Sequence, residues 1–286
     1  MRKAGKNTMQ VIPVLDIKNR LVVRGIAGER EKYQPIQSKL VESAKPQDVA
    51  RALVSLLGAD TAYVADLDAI EKGKFNPRIY EQLSKAGLRL WLDAGVGDAE
   101  QLELVLEQCG GLAPDIVVGL ESLHSATALR ELVRIIGREA CLFSLDLKHG
   151  QPLTKIEAWR SFTPGQIAEE ALAAGVRRFI VLDLADVGVG AGTSTLDFCR
   201  TFADDHAQRG RAEFSRFTTM KDGKSNPAKT PPDPFSAGIE LIAGGGVRNF
   251  EDLECLADAG CSAALVASAL HDGRLGKEDI ERARGL

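Results

Sequence analysis

Two aspartates stand at the same place in a motif that occurs twice. The sequence Val14–Lys18 (VLDIK) returns as Ser144–Lys148 (SLDLK), and each copy ends an apolar run, so Asp16 and Asp146 lie where a buried strand would emerge into a loop. Two carboxyl groups that flank one pocket can differ in pKa, so that one acts as a base while the other stays protonated as an acid. We therefore predict acid–base catalysis by this pair. The alternative is that each carboxylate only caps its loop or pairs with the lysine two residues later.

A glycine turn repeats in the same order and predicts a phosphate site. Residues 93–102 align with residues 244–253, and in the later copy the glycines follow a strand and lead into a helix. Backbone N–H groups in such a turn can approach an anion at the helix N-terminus. The next strand also ends in small residues, and paired turns after strands seven and eight bind phosphate in many barrels. The predicted phosphate-binding residues are Gly244, Gly245, Gly246, Ala267 and Ser268.

The matching turns of the first half predict a weaker anion site. Gly95 follows the third predicted strand and Gly119 the fourth. Asp93 and Glu121 bring negative charge close to any phosphate bound there, which is unfavourable unless both side chains point away. The sequence leaves open whether this first-half site binds phosphate.

Several further aspartates end or follow the predicted strands, and they cannot all belong to one site. They are Asp66, Asp68, Asp93, Asp183 and Asp186. A divalent metal would explain such a group, but the four histidines are dispersed and neither H-x-H nor H-E-x-x-H occurs. We therefore predict no metal site.

The elements that must position these residues alternate between strands and helices. Apolar runs rich in β-branched residues indicate eight strands buried on both faces, at 11–15, 61–66, 88–93, 115–119, 140–146, 178–183, 239–243 and 263–267. Helical patterns between them, many ending at a glycine, cover 46–57, 98–108, 125–136, 164–174, 194–206 and 249–259. This order admits a closed barrel or a doubly wound sheet. The half-repeat favours a (β/α)8 TIM barrel built from two similar half-barrels.

The predicted domain organisation is a flexible N-terminal tail, residues 1–8, and a single barrel domain, residues 9–286. Within that domain, residues 208–237 form a basic, proline-rich insertion with six Lys or Arg and four Pro residues. Because it follows a helix and precedes a strand, the insertion would lie on the N-terminal face of the barrel, away from the loops that carry chemistry. It is either a mobile surface loop or an interface for an unknown protein or anionic partner.

Composition narrows the class of function. The 286 residues are 44% hydrophobic and 27% charged, and the net charge of −4 gives no whole-chain electrostatic argument for nucleic acid binding. Five scattered cysteines without a C-x-x-C pair fit reduced thiols better than disulfides or a zinc site. No apolar run reaches the length of a signal peptide core or a transmembrane helix. We expect a cytoplasmic enzyme that binds neither nucleic acid nor membrane.

Five segments together resemble the histidine-biosynthesis barrel family, which includes a phosphoribosylformimino-aminoimidazole carboxamide ribotide isomerase and a cyclase. They are Val11–Lys18, Val22–Gly25, Val64–Ala69, Phe143–Asp146 and Ala243–Val247. The isomerase is nearer, because the cyclase has a first-loop lysine where this chain has Val23 or Arg24. The resemblance implies an Amadori rearrangement of a small phosphorylated substrate in histidine biosynthesis, without metal or cofactor. It makes Asp16 the general base and Asp146 the proton donor or its positioning partner.

The chain departs from that family in three places. The catalytic aspartate of the sixth strand has no ungapped counterpart in Leu182–Gly190, and only a one-residue shift lets Asp186 serve. The first glycine triplet has become Asp93–Gly95, and the Gly-Thr after strand four is Gly119–Leu120. These changes favour a rival hypothesis, a diverged paralogue with a different, singly phosphorylated substrate. A third hypothesis is a barrel that has lost catalysis and serves as a binding protein.

The long loop after Asp146 contains one further candidate, Trp159. Its ring could stack on a flat base such as the imidazole of the substrate. The alternative is a hydrophobic plug beneath the loop.

Overall fold

Eight parallel strands close into a barrel in this computed structural model, which describes residues 8–190, 192–206 and 238–286. The strands are β1 (Gln10–Lys18), β2 (Thr61–Asp66), β3 (Arg89–Asp93), β4 (Asp115–Gly119), β5 (Cys141–Lys148), β6 (Arg178–Asp183), β7 (Glu240–Gly244) and β8 (Ala263–Val266). Each pairs with its neighbour in chain order, and β1 pairs with β8 through Gln10 opposite Ala263 and Pro13 opposite Val266. The predicted (β/α)8 TIM barrel is confirmed.

Helices on the outside connect the strands. They are α1 (Pro46–Leu57), α2 (Leu67–Lys72), α3 (Pro77–Lys85), α4 (Ala99–Cys109), α5 (Ala126–Ile136), α6 (Pro164–Ala173), α7 (residues 196–206), α8 (Phe250–Asp258), α9 (Ser268–His271) and α10 (Lys277–Ala283). Local sequence sets several ends. Pro46 opens α1 and Gly58 ends it with a φ of 67°, a left-handed conformation that glycine adopts without strain. Within the described ranges, no helix combines the length and apolar character that a membrane crossing requires.

The two halves share more than the strand-end motif. After β1 the chain turns through Asn19 and Arg20 into the short antiparallel strand Leu21–Arg24, and after β5 it turns through His149 and Gly150 into Gln151–Pro152. All four turn residues have positive φ, as a tight two-residue hairpin turn requires. The sequence did not predict these hairpins, which directly follow the strand ends that carry Asp16 and Asp146.

The floor of the barrel is closed by charged side chains from the first residues of four strands. Asp115 accepts hydrogen bonds from Arg89 at 2.6 Å and from Arg178 at 2.7 Å, and Arg178 also donates to Glu240 at 2.6 Å. The guanidinium of Arg178 lies 5.0 Å from the ring centre of Trp91, a buried side chain of the barrel interior. This network ties together β3, β4, β6 and β7 at the amino ends of the strands.

Two of the predicted segments lie outside the described residues. They are the N-terminal tail, apart from Thr8, and the basic insertion at 208–237.

Candidate active site

A cavity opens at the carboxyl ends of the strands, and both halves of the barrel line it. Asp16 of β1 and Asp146 of β5 contribute to its wall, together with Asp93 of β3 and Tyr63 of β2. Since β1 and β5 are four strands apart in a closed eight-stranded barrel, the two motif aspartates approach the cavity from opposite sides.

Asp16 is partly exposed to this cavity. Among the described residues its carboxylate makes no hydrogen bond, and it lies so close to Gly25 that a Cβ there would sit 2.9 Å from Asp16 Oδ2. Burial raises the pKa of Asp16 to about 7, although the Arg30 charge lowers it, and the Asp93 carboxylate adds to the rise. Near neutral pH this carboxyl group can therefore both take up and release a proton.

Asp146 is more deeply placed, with 7% of its surface exposed. Ser144 Oγ donates to its Oδ1 at 2.6 Å, and the Glu121 N–H donates to its Oδ2 at 3.4 Å. Burial raises the pKa of Asp146 to about 8, and the negative charge of Glu121 raises it further, against the opposing effect of the Ser144 hydrogen bond. At pH 7 this group is mostly protonated, which suits a proton donor.

Asp93 forms a third carboxyl group on the same wall. It accepts a hydrogen bond from Tyr63 OH at 3.0 Å and one from the Gly95 N–H at 3.1 Å. Burial raises its pKa to about 6 despite these two hydrogen bonds. A Cβ on Gly119 would lie 3.2 Å from Asp146 Oδ2 and 3.8 Å from Asp93 Oδ2, so the two carboxylates converge on that glycine.

The first-half end of the cavity carries a partly buried ion pair that the sequence did not reveal. Arg30, from the loop after β1, reaches across the mouth and hydrogen bonds to Glu121 after β4. Its Nε also lies 3.9 Å from Glu71 Oε1 of α2. The backbone oxygen of Arg30 in turn accepts a hydrogen bond from Lys18 Nζ at 2.6 Å. This guanidinium is therefore held by protein carboxylates.

The second-half end is built from glycine and small residues. Gly245 and Gly246 have φ values of 86° and 78°, and both line the cavity together with Ala267 and Ser268. Nearby cationic side chains also face the cavity. Arg24 forms a bidentate pair with Asp272 at 3.0 Å, and Arg274 donates to the same carboxylate at 3.2 Å. Two guanidinium groups thus share a single carboxylate, which leaves this end positively charged.

The loops after β1 and β6 meet above the cavity. Ala27 N–H donates to the Val187 oxygen at 2.8 Å, and a Cβ on Gly25 would lie 2.8 Å from Val187 Cγ1. Gly188 has a φ of 72°, and any Cβ on it would overlap the carbonyl oxygen of Gly25. The contact therefore depends on two glycines that allow the backbones to approach closely.

Several predicted site residues do not line the cavity. Asp186 accepts the Ser194 N–H at 2.8 Å and stabilises the loop after β6. Trp159 is 3% exposed within the hydrophobic core, which fits the alternative of a plug beneath the loop. The cavity-lining residues also do not include the predicted phosphate ligands Gly95, Gly119 and Gly244.

The remaining strand-end aspartates hold loops in place. Asp183 accepts the N–H groups of His149 at 3.0 Å and Gly150 at 2.7 Å, in the hairpin turn after β5. Asp68 accepts the Asn19 N–H at 2.7 Å, in the matching turn after β1. These contacts orient the two hairpins beside Asp16 and Asp146, and they explain why the chain has so many carboxylates at its strand ends.

Sequence reasoning did not assign Arg30, Tyr63, His271 or Arg274 to the site, although all four line the cavity. Tyr63 could have been found, because it lies in a predicted strand at an inward-facing position. Arg30 and Arg274 lie on loops whose path depends on distant contacts. Within the described ranges, no group of three or more His, Cys, Asp or Glu side chains could hold a metal ion.

Comparison of the sequence with known proteins identifies the family to which the chain is similar. The family model described as histidine biosynthesis protein matches residues 10–205 and 235–276, and the unmatched stretch between them overlaps the predicted insertion. An uncharacterized protein of Methanocaldococcus jannaschii is 27% identical over 277 residues, which cover 95% of this chain and 97% of that protein.

Two further relatives carry the name of an enzyme, 1-(5-phosphoribosyl)-5-((5-phosphoribosylamino)methylideneamino) imidazole-4-carboxamide isomerase. The one from Thermoanaerobacter pseudethanolicus is 25% identical over 96% of this chain and 100% of its own length. The one from Methanococcus vannielii is 25% identical over 95% of this chain and 98% of its own length.

Proposed function

This chain belongs to the histidine biosynthesis protein family, and from that premise we propose that it is an aldose–ketose isomerase that carries out an Amadori rearrangement on a phosphoribosyl substrate. The observation that carries the proposal is the pair of Asp16 and Asp146, both in one cavity and both with pKa values raised into the neutral range by burial. The names of two relatives, which specify an isomerase, support the same reaction class.

The chemistry needs one acid and one base on opposite sides of the sugar. Asp146, mostly protonated at pH 7, donates a proton to the ring oxygen, and the ring opens to an iminium at C1. Asp16, as the carboxylate, removes the proton from C2, and the electron pair of that C–H bond forms an enolamine with C1. Protonation at C1 and loss of the C2 hydroxyl proton then give the aminoketose. In total C2 loses one hydrogen and C1 gains one, and no oxidant or reductant is consumed.

The second-half end of the cavity is the proposed binding site for the ribose phosphate. The turns containing Gly245, Gly246, Ala267 and Ser268 line the cavity, and Arg24 and Arg274 add positive charge beside them. Anchoring the phosphate there holds the reacting carbons between the two aspartates, and such positioning contributes strongly to catalysis.

A second candidate is a diverged member of the family that performs the same reaction on a phosphorylated substrate other than the histidine-pathway ribotide. The observation that favours it lies at the end of β6 and in the loop that follows, where Leu182, Leu184 and Val187 line the cavity and Asp186 does not. For either candidate we propose a small phosphorylated compound as partner. The five cysteines, all free, fit a reducing cytoplasmic compartment.

Genetic complementation separates the two candidates. The gene is expressed in a bacterial strain that lacks the histidine-pathway isomerase, with Asp16→Asn as the inactive control. Growth without histidine that requires Asp16 would identify the pathway ribotide as a substrate. Absence of growth, from a protein that isomerises another phosphoribosylamine in vitro, would identify the diverged member.

A further inference from the structure

Corresponding turn N–H groups differ in their hydrogen-bond acceptors between the two halves of the barrel. In the first half, the Gly95 N–H donates to the carboxylate of Asp93 at 3.1 Å, and the Glu121 N–H donates to the carboxylate of Asp146 at 3.4 Å. In the second half, the counterparts of Gly95 and Asp93 are Gly246 and Gly244, so no carboxylate is present at the strand end. Among the described residues, no acceptor takes the Gly246 N–H. The first half thus satisfies these N–H groups with its own carboxyl oxygens, whereas the Gly246 N–H of the second half has no such acceptor.

The two ends of the cavity also differ in charge, with more carboxylates at the first-half end. At the first-half end, Asp93, Glu121 and Glu71 surround Arg30, which hydrogen bonds to Glu121. The Lys18 ammonium lies beside them, 2.6 Å from the Arg30 backbone oxygen, so the carboxylates outnumber the cations. A phosphate placed there would meet an excess of negative charge. At the other end, Arg24 and Arg274 share one carboxylate.

The lining of the cavity gives a third indication. The turns at both ends are tightly packed, since a Cβ on Gly95 would lie 3.0 Å from Ile70 Cα, and one on Gly246 would overlap the Gly192 carbonyl. Neither Gly95 nor Gly119 lines the cavity, whereas Gly245 and Gly246 both do.

We propose that the substrate carries one phosphate only, bound at the β7–β8 end, and that Asp93 and Glu121 exclude a phosphate from the β3–β4 end. This inference rests on the proposed function, because it concerns the substrate of the same cavity. It names the substrate class as an N-substituted 5-phosphoribosylamine whose other end is not phosphorylated.

The test is a binding comparison between two ligands that differ by one phosphate. The bisphosphorylated ribotide and its analogue lacking the phosphate on the imidazole-side ribose are titrated calorimetrically into Asp16→Asn, which prevents turnover. We expect the analogue to bind as tightly as the ribotide within about threefold, or more tightly. A loss of more than about tenfold on removing that phosphate would overturn the proposal.

A substitution at the β3–β4 end provides a second test. In the Asp16→Asn background, Glu121→Gln removes one carboxylate and releases Arg30, so affinity for the ribotide should rise about tenfold while affinity for the analogue stays within threefold. Glu107→Gln is the matched control, because it removes the same charge from an exposed position on α4. Equal effects of the two substitutions, or no gain for the ribotide, would contradict the assigned role of Glu121.

The result also separates this inference from the proposed function. Preferential binding of the analogue without isomerase turnover by the wild type would leave the substrate class standing and remove the reaction. Turnover that requires both phosphates would leave the reaction standing and remove the inference.

Discussion

Asp16 and Asp146 owe their raised pKa values mainly to burial, but their neighbours differ. Arg30 offsets part of the rise at Asp16, while Glu121 adds to it at Asp146. The difference orders the two carboxyl groups as base and acid, because the group with the higher pKa retains its proton at neutral pH. An enclosed site thus makes acid–base chemistry available from two side chains that would both be ionised in water.

Activity should depend on pH as a bell-shaped curve. The base must be ionised, which requires a pH above about 7, and the acid must be protonated, which requires a pH below about 8. A profile of kcat/KM between pH 5 and pH 10 measures both limits. Glu121→Gln should move the alkaline limb to lower pH, because it removes a negative charge that raises the pKa of Asp146. An unmoved alkaline limb would show that another group is the acid.

Ionisation of Asp146 should lower the stability of the folded protein at high pH. Its pKa is raised from 3.8 in the unfolded chain to about 8 in the folded protein, so the folded state binds the proton more tightly and loses stability as pH rises between those values. Asp146→Asn removes this loss. We expect its Tm to exceed that of the wild type by a growing margin from pH 5 to pH 9, at about 2–4 °C for each kcal/mol. A constant margin across this range would contradict the raised pKa.

Among the elements, the loops after β1 and β6 decide whether the cavity is covered. Gly188→Ala should force them apart, because the new methyl group would overlap the carbonyl oxygen of Gly25. We expect kcat/KM to fall about 10- to 100-fold as the reacting groups lose their alignment. Gly190→Ala is the matched control, since Gly190 has nearly the same φ, 71°, but apart from its chain neighbours no atom of the described residues lies within 4 Å of the added Cβ. Steady-state kinetics on both variants make the comparison, and equal losses would attribute the effect to backbone strain instead of loop contact.

For the molecule as a whole, the charged floor of the barrel is a source of stability far from the chemistry. Asp115 is 2% exposed and accepts hydrogen bonds from two arginines, so Asp115→Asn weakens both bonds, although Glu240 still pairs with Arg178. We expect the free energy of unfolding to fall by about 1.5–3 kcal/mol in urea titrations. Glu81→Gln, which breaks an exposed pair with Lys85, should change it by less than about 1 kcal/mol. Similar effects of the two substitutions would show that the floor network contributes little.

The sequence predicted the barrel because its signals are local and repeated. All eight predicted strands occur, and α1 spans residues 46–57 as predicted, because Pro46 and Gly58 mark its ends. The hairpins after β1 and β5 were missed, since their strands are only four and two residues long. Arg30 could not be placed from sequence, because its contacts with Glu71 and Glu121 depend on how one loop crosses the mouth of a closed barrel.

Removal of the C2 proton by Asp16 is the central claim of the proposed function, and isotope release tests it directly. A phosphoribosylamine substrate deuterated at C2 is incubated with the wild type and with Asp16→Asn, and loss of deuterium from C2 is followed by mass spectrometry. The wild type should release deuterium at the rate of ketose formation, and the variant should be slower by about 10²–10⁴-fold. Release by Asp16→Asn at a rate within about threefold of the wild type, or no release by either protein, would contradict the assignment.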